Sequence, residues 1–220
     1  MEKVTSEVSY YLKLTEYYLS GDLKEIKSIC EKAEETDIKL NIQPKFSVSG
    51  LYPRLDTKNS FENPESGIFR LTIPIASALF STIDFLGYLS GDNDNALATK
   101  KNFIEFFKYA RNLSFVVAAD EIVIVNSVFR QGVAHTYLPK LNAGISYYSG
   151  NPNDKLFLNE MGNTLVLNLR YLETIVMMVL RNAIENTDLA EKMENRYLRL
   201  QNSYREAYSD KIERLLRRLD

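Results

Sequence analysis

Apolar residues recur at helical spacing along most of the chain, and the breaks in that rhythm outline the elements. Over residues 5–19, Val8, Tyr11, Leu12, Leu14, Tyr18 and Leu19 form a stripe, and Ser20-Gly21-Asp22 then reads as a stop followed by a new cap. Two short helices are predicted, the second over about 22–35, with Leu23, Ile26, Ile29 and Cys30 inward and a solvated Lys/Glu face outward. From 41 to 66 the pattern dissolves around Pro44, Gly50, Pro53 and Pro64, a long irregular connection whose Phe46, Leu51, Tyr52 and Phe61 are expected to pack down. Helical spacing returns over 68–90. The turn Gly91-Asp92-Asn93-Asp94 leads into a helix over 95–113, and another runs from Ala119 or Asp120 to about Leu138, stopped by Pro139.

The period then changes. Residues 144–149, 155–159 and 164–169 alternate or cluster like strands, separated by Asn-Pro-Asn and Met-Gly-Asn turns, which predicts a hairpin or a three-stranded antiparallel meander. A core helix follows over 171–186. The last segment, 188–219, carries Leu189, Met193, Tyr197, Leu200, Tyr204, Tyr208, Ile212, Leu215 and Leu219 at steps of three or four. It is either a long helix lying along the bundle or a dimerisation helix.

A chain of 220 residues with 45% hydrophobic and 25% charged residues can bury one good core, so one mainly α domain is expected. Its parts are N-terminal helices and connection (1–66), a core with a β insertion (67–187) and a terminal helix (188–220). The net charge of −2 gives no global pull towards nucleic acid or an anionic membrane. One cysteine rules out an internal disulfide framework, and the first seven residues lack the order of a secretion signal, so a cytoplasmic protein is expected. The run Leu71–Leu89 approaches the length of a bilayer span, but Pro74, Asp84 and hydroxyl residues interrupt it and predict a core helix.

His135 is the only histidine. An imidazole-based metal site within one chain is thereby excluded, no other metal-ligand cluster is recognisable, and neither phosphate-binding glycine loops nor a Gly-x-Ser-x-Gly elbow is present; no cofactor is expected. The histidine ends Arg130-Gln131-Gly132-Val133-Ala134-His135, at the close of an apolar helix. On an α-helix Gln131 and His135 share a face, while Arg130 lies about 140° from His135 and must reach around. Arginine offers a planar fork for phosphate and imidazole can move a proton near neutral pH, a pair suited to phosphodiester cleavage. The same two residues can equally do no more than satisfy carbonyls or a carboxylate at a helix end. Gly132 permits a close backbone approach. Asp84, a carboxylate inside an apolar helix, needs a partner and can pair with Arg130 or turn to solvent. Arg70 is either a second phosphate ligand or a surface arginine, and Lys140 closes the motif segment.

Arg130 and His135, with four residues between them at the end of a core helix after two long helices, resemble the signature of HEPN domains. Gln131 stands where that family more often has Asn, Asp or His. The resemblance spans about residues 65–190 and implies a helical bundle, in which the strands would be an embellishment. It implies one of two activities. The first is a metal-independent endoribonuclease of toxin or antiviral type, a homodimer whose two motifs meet. There His135 would move protons, Arg130 would hold the scissile phosphate and Gln131 would orient it, with RNA as substrate and an antitoxin or regulatory protein as a further partner. The second is a non-catalytic nucleotide-binding or protein-interaction module.

Overall fold

The computed structural model describes residues 6–39, 46–47, 54–55, 68–92, 94–136, 143–146, 155–160 and 164–218. They are mainly helical with a small three-stranded mixed sheet. The helices are α1 (Glu7–Lys39), α2 (Ile68–Ser90), α3 (Thr99–Asn112), α4 (Ala119–Ile124), a π-helical stretch (Val125–Arg130), α5 (Gln131–Thr136), α6 (Leu169–Glu185) and α7 (Thr187–Leu216).

The two short helices expected at the N-terminus are one, because Gly21 does not stop α1. Val8, Leu12, Leu19 and Leu23 form a single buried stripe that runs across it. Glycine in a helix costs about 1 kcal/mol relative to alanine, whereas each of these buried side chains contributes roughly 1.5–3 kcal/mol, so packing overrides the local signal. The connection after α1 contains two short strands, β1 (Phe46–Ser47) and β2 (Arg54–Leu55), paired antiparallel. Leu51, Tyr52 and Phe61 lie outside the described residues.

Helix α2 is the packing centre: it touches α1, α3, α5, α6, α7, the π stretch and β3. Ile75, Leu79, Ile83, Leu86 and Leu89 are buried on it, and Pro74 lies inside the helix without ending it. The segment Ile73–Ser90 is long and apolar enough to cross a membrane, but 61% of it is buried inside the molecule, as a core helix requires. Its closest neighbour is α3, and the approach is set by Gly87: a Cβ there would lie 2.6 Å from the carbonyl carbon of Asn102 and closer still to its oxygen. Helix α3 begins at Thr99 rather than 95, since Asn95 to Ala98 are spent in a turn whose Asn95 side chain accepts the Leu97 N–H at 2.9 Å. It ends with Ser114 at φ 71°, where the Phe115 N–H donates to Ala110 O and the Ser114 N–H to Arg111 O, a left-handed C-terminal cap made without glycine.

The expected strands are β3 (Ala143–Ser146), β4 (Phe157–Glu160) and β5 (Thr164–Asn168), but the meander is corrected. The order is β3-β5-β4, with β4 antiparallel and β3 parallel to β5. Alternation fixes the faces of a strand, not its neighbours. Val166 and Leu167 point to opposite faces and both are buried, so β5 is the strand that profits from the central place. Asn168 then joins sheet to helix: its Oδ1 accepts the Tyr171 N–H at 3.2 Å, capping α6, and its Nδ2 donates to Lys155 O at 3.1 Å.

Helix α7 divides in two. Its first half docks through Met193 and Tyr197 and through Arg196, whose Nε donates to Tyr88 O at 2.6 Å and whose guanidinium lies 4.4 Å from the Tyr88 ring centroid. Beyond Gln201 nearly every residue is exposed, so only half of the stripe is covered by its own chain.

Candidate functional site

The motif helix starts at Ala118, whose N–H donates to Glu121 Oε2 at 2.8 Å. The sequence predicts one central helix from Ala119 or Asp120 to about Leu138, with its polar end emerging. Instead its first turn buries no residue, and from Val125 to Arg130 it widens into a π-helix before α5 resumes. Such wide turns are uncommon and frequent at functional sites. Val125, Asn126 and Phe129 face the core, so the helix is buried in its middle and emerges at its end. His135 is exposed, Gln131 half-buried and Gly132 buried. Helix α5 is described to Thr136, and Tyr137, Leu138, Pro139 and Lys140, with the expected stop at Pro139, lie outside the described residues.

Arg130 is partnered. Its Nη2 lies 3.7 Å from Asp84 Oδ2, with about a fifth to a quarter of each side chain still exposed (25% and 21%). The contact is an ion pair longer than a hydrogen bond, and among the described residues the other guanidinium N–H groups have no further partner. Asp84 is held more tightly by Asn102, whose Nδ2 donates to Asp84 Oδ1 at 2.8 Å and to Ala96 O at 2.9 Å. The cluster thus joins α2, α3 and the π stretch. Burial pushes the Asp84 carboxyl above the usual carboxylate range, offset in part by the Asn102 hydrogen bond and then by Arg130. Asn126, one turn before Arg130, is buried with its Oδ1 lacking a hydrogen-bond partner among the described residues. Arg70 sits in the first turn of α2, fourteen residues and so roughly 21 Å along the axis from Asp84. The backbone does not bring it to this cluster.

No family model, curated protein or solved structure matches this chain. A guanidinium held by a carboxylate can bind an anion, and an exposed imidazole five residues on can exchange a proton, although the helix sets the two about 140° apart around its axis. Among the described residues no three His, Cys, Asp or Glu side chains are grouped so as to hold a metal ion. A separate open groove of about 650 Å³ lies between Asp92, Asp94, Lys101, Glu105 and Lys108, and none of the motif residues lines it.

Asn102 and Asn126 did not stand out in the sequence, although each breaks an apolar helix face: Asn102 is the neighbour of Phe103, Phe106 and Phe107, and Asn126 follows Val125. A polar residue on such a face is the available signal, since it is tolerated there only with a partner or at a cost of about 1–3 kcal/mol.

The raised Asp84 carboxyl makes a pH prediction. Because the folded state holds this proton more tightly than the unfolded chain, the contribution to stability is complete below the ordinary aspartate value and is lost as pH rises through the raised one. Asp84→Asn imitates the protonated form and should gain on the wild type as pH is raised from about 4 towards neutral. Urea unfolding across that range measures the difference. A variant that instead loses ground with rising pH would mean that the ion pair outweighs burial.

Proposed function

We propose that the chain is a HEPN-like domain that binds RNA at Arg130 and His135 and cleaves it without a metal ion. The observation that carries this reading is Arg130, oriented by Asp84 at 3.7 Å yet still partly open to solvent, five residues before an exposed His135. In this reading the guanidinium holds the scissile phosphate, the imidazole transfers protons, and Gln131 orients the phosphate. With one histidine in the chain, the ribose 2′-hydroxyl is the nucleophile that needs least help: it is already attached, so only orientation and proton transfer are required. Two copies would bring two motifs to one groove. Such an enzyme would work in the cytoplasm as a toxin or defence effector, with an antitoxin or regulatory protein as a further partner.

A second reading is favoured by the same ion pair. An arginine whose role is to neutralise a half-buried aspartate needs no substrate, and the chain would then be a non-catalytic nucleotide-binding or protein-interaction module. Single-stranded RNA incubated with the protein in EDTA separates the two. Fragments ending in 2′,3′-cyclic phosphate, with the matching DNA intact, are the expected result. RNA that stays whole across varied sequences while the protein remains folded would sink the nuclease and leave the module.

A further inference from the structure

Asp84 is fixed in place before it meets Arg130. Asn102, fully buried on α3, gives its Nδ2 to two acceptors, Asp84 Oδ1 at 2.8 Å and Ala96 O at 2.9 Å. The amide cannot turn over without setting its own oxygen against both of them, and the carboxylate cannot swing away without leaving a buried donor short of a partner. Helix α3 is itself held against α2 by the close approach at Gly87. Asp84 Oδ2 is the oxygen left over, and it is the one that faces Arg130 Nη2 at 3.7 Å.

The charge that acts on Asp84 is that of Arg130, from the π stretch. Asn102 faces it from α3 without charge, and α1, α5, α6, α7 and β3, which also pack against α2, bring no charge to bear on it among the described residues. One guanidinium is thus balanced by one carboxylate. A phosphodiester that takes the guanidinium sets a second negative charge beside Asp84, and of two acids that share a site the weaker one is pushed towards its neutral form. The phosphodiester is much the stronger acid, so the carboxyl yields. Because Asn102 holds it, it yields by taking a proton rather than by moving, and its burial already favours the neutral form.

We propose that a phosphodiester binding to Arg130 brings a proton onto Asp84 Oδ2, so that the neutral carboxyl becomes a second hydrogen-bond donor of the anion site. This rests on the RNA-binding part of the preceding reading but not on cleavage. The proton comes from water: the Arg130–Asp84 ion pair is given up, an O–H bond forms on Oδ2 and is donated to an oxygen of the anion, and Oδ1 keeps its hydrogen bond from Asn102. The site then offers the phosphate a guanidinium and an acid, with no like charge opposing it. Linkage follows: where about one proton is taken up per anion bound, affinity falls about tenfold for each unit by which the pH is raised.

The probe is a short 2′-O-methyl oligouridylate, which has no free 2′-hydroxyl to attack and does not titrate from about pH 5, above the ordinary aspartate value, to about pH 8. Calorimetry on the full chain, in buffers of different ionisation enthalpy, counts the protons taken up. The parent is His135→Ala, so that the imidazole adds none of its own. It should take up a proton on binding, to a degree that changes with pH. Adding Asp84→Asn, whose amide supplies the donor without a charge, should abolish the uptake and tighten binding at least about tenfold near neutral pH. Adding Arg130→Gln instead should remove binding, with helical circular dichroism unchanged in each variant. Binding without uptake, or an Asp84→Asn chain that binds more weakly than its parent, would overturn the proposal and leave the RNA site standing. An oligonucleotide that no variant binds, or that binds as well without Arg130, would overturn both. RNA left whole in EDTA, with the uptake observed, would count against the nuclease alone and support the proton-linked site.

Discussion

Gly87→Ala is expected to lower stability by about 3 kcal/mol, the upper end of the usual range for overpacking. The methyl group would fall on the backbone carbonyl of Asn102, and backbone cannot swing aside as a long side chain can. Helices α2 and α3 would have to separate, loosening the Phe80–Phe103 contact at 6.2 Å and the hydrogen bond from Asn102 to Asp84. For a chain of this size 1 kcal/mol moves the midpoint by about 2–4 °C, so a fall of about 10 °C in Tm is anticipated by calorimetry. Gly21→Ala is the control: nothing stands near its added methyl group, and alanine is the better helix former. A Gly87→Ala melt that coincides with wild type would show that the helices do not rely on this approach.

The other large effect concerns the motif. If RNA is the substrate, His135→Ala should slow cleavage by about 10²–10⁴, the usual loss when a positioned proton-transfer group is removed. Arg130→Lys keeps the charge but loses the planar fork that grips two phosphate oxygens, and it too should be impaired. Folding is not at stake for the first variant, since His135 is exposed on α5. Single-turnover rates on a cleavable RNA, with circular dichroism alongside, give the comparison. Cleavage that continues undiminished in His135→Ala would remove the imidazole from the mechanism.

The helical class, the position of most helices and the three strands were legible because long apolar stripes and short alternating runs report burial directly. Packing decided what local chemistry could not. Gly21 reads as a stop in isolation, yet the leucine stripe either side of it belongs to one core. The place of β5 between β3 and β4 depends on what covers its two faces, which alternation does not encode. At the site, the partnership of Arg130 with Asp84 could be framed from the need of a carboxylate in an apolar helix, but Asp84 turning to solvent was an equal alternative, and only the crossing of α2 with the π stretch decides between them. Asn102 was missed because its role comes from the proximity of α3 to α2, which Gly87 sets from another element. The π stretch has no sequence signature in Val125 to Arg130, since widening a helix alters hydrogen-bond spacing rather than residue type.

That widened turn has a consequence for how the motif can change over time. A π turn holds one residue more than the α turn it replaces, so the stretch from Val125 to Arg130 is equivalent to a tolerated single-residue insertion. Losing one residue there would restore ordinary helix and leave α4 in place. Because the wide turn takes up its extra residue over the rotation of an ordinary turn, Arg130 and His135 would keep nearly the direction they face now. The buried turn is therefore the place where this helix can change length by one codon while the motif keeps its facing, so the site tolerates there an insertion or deletion that regular helix would not.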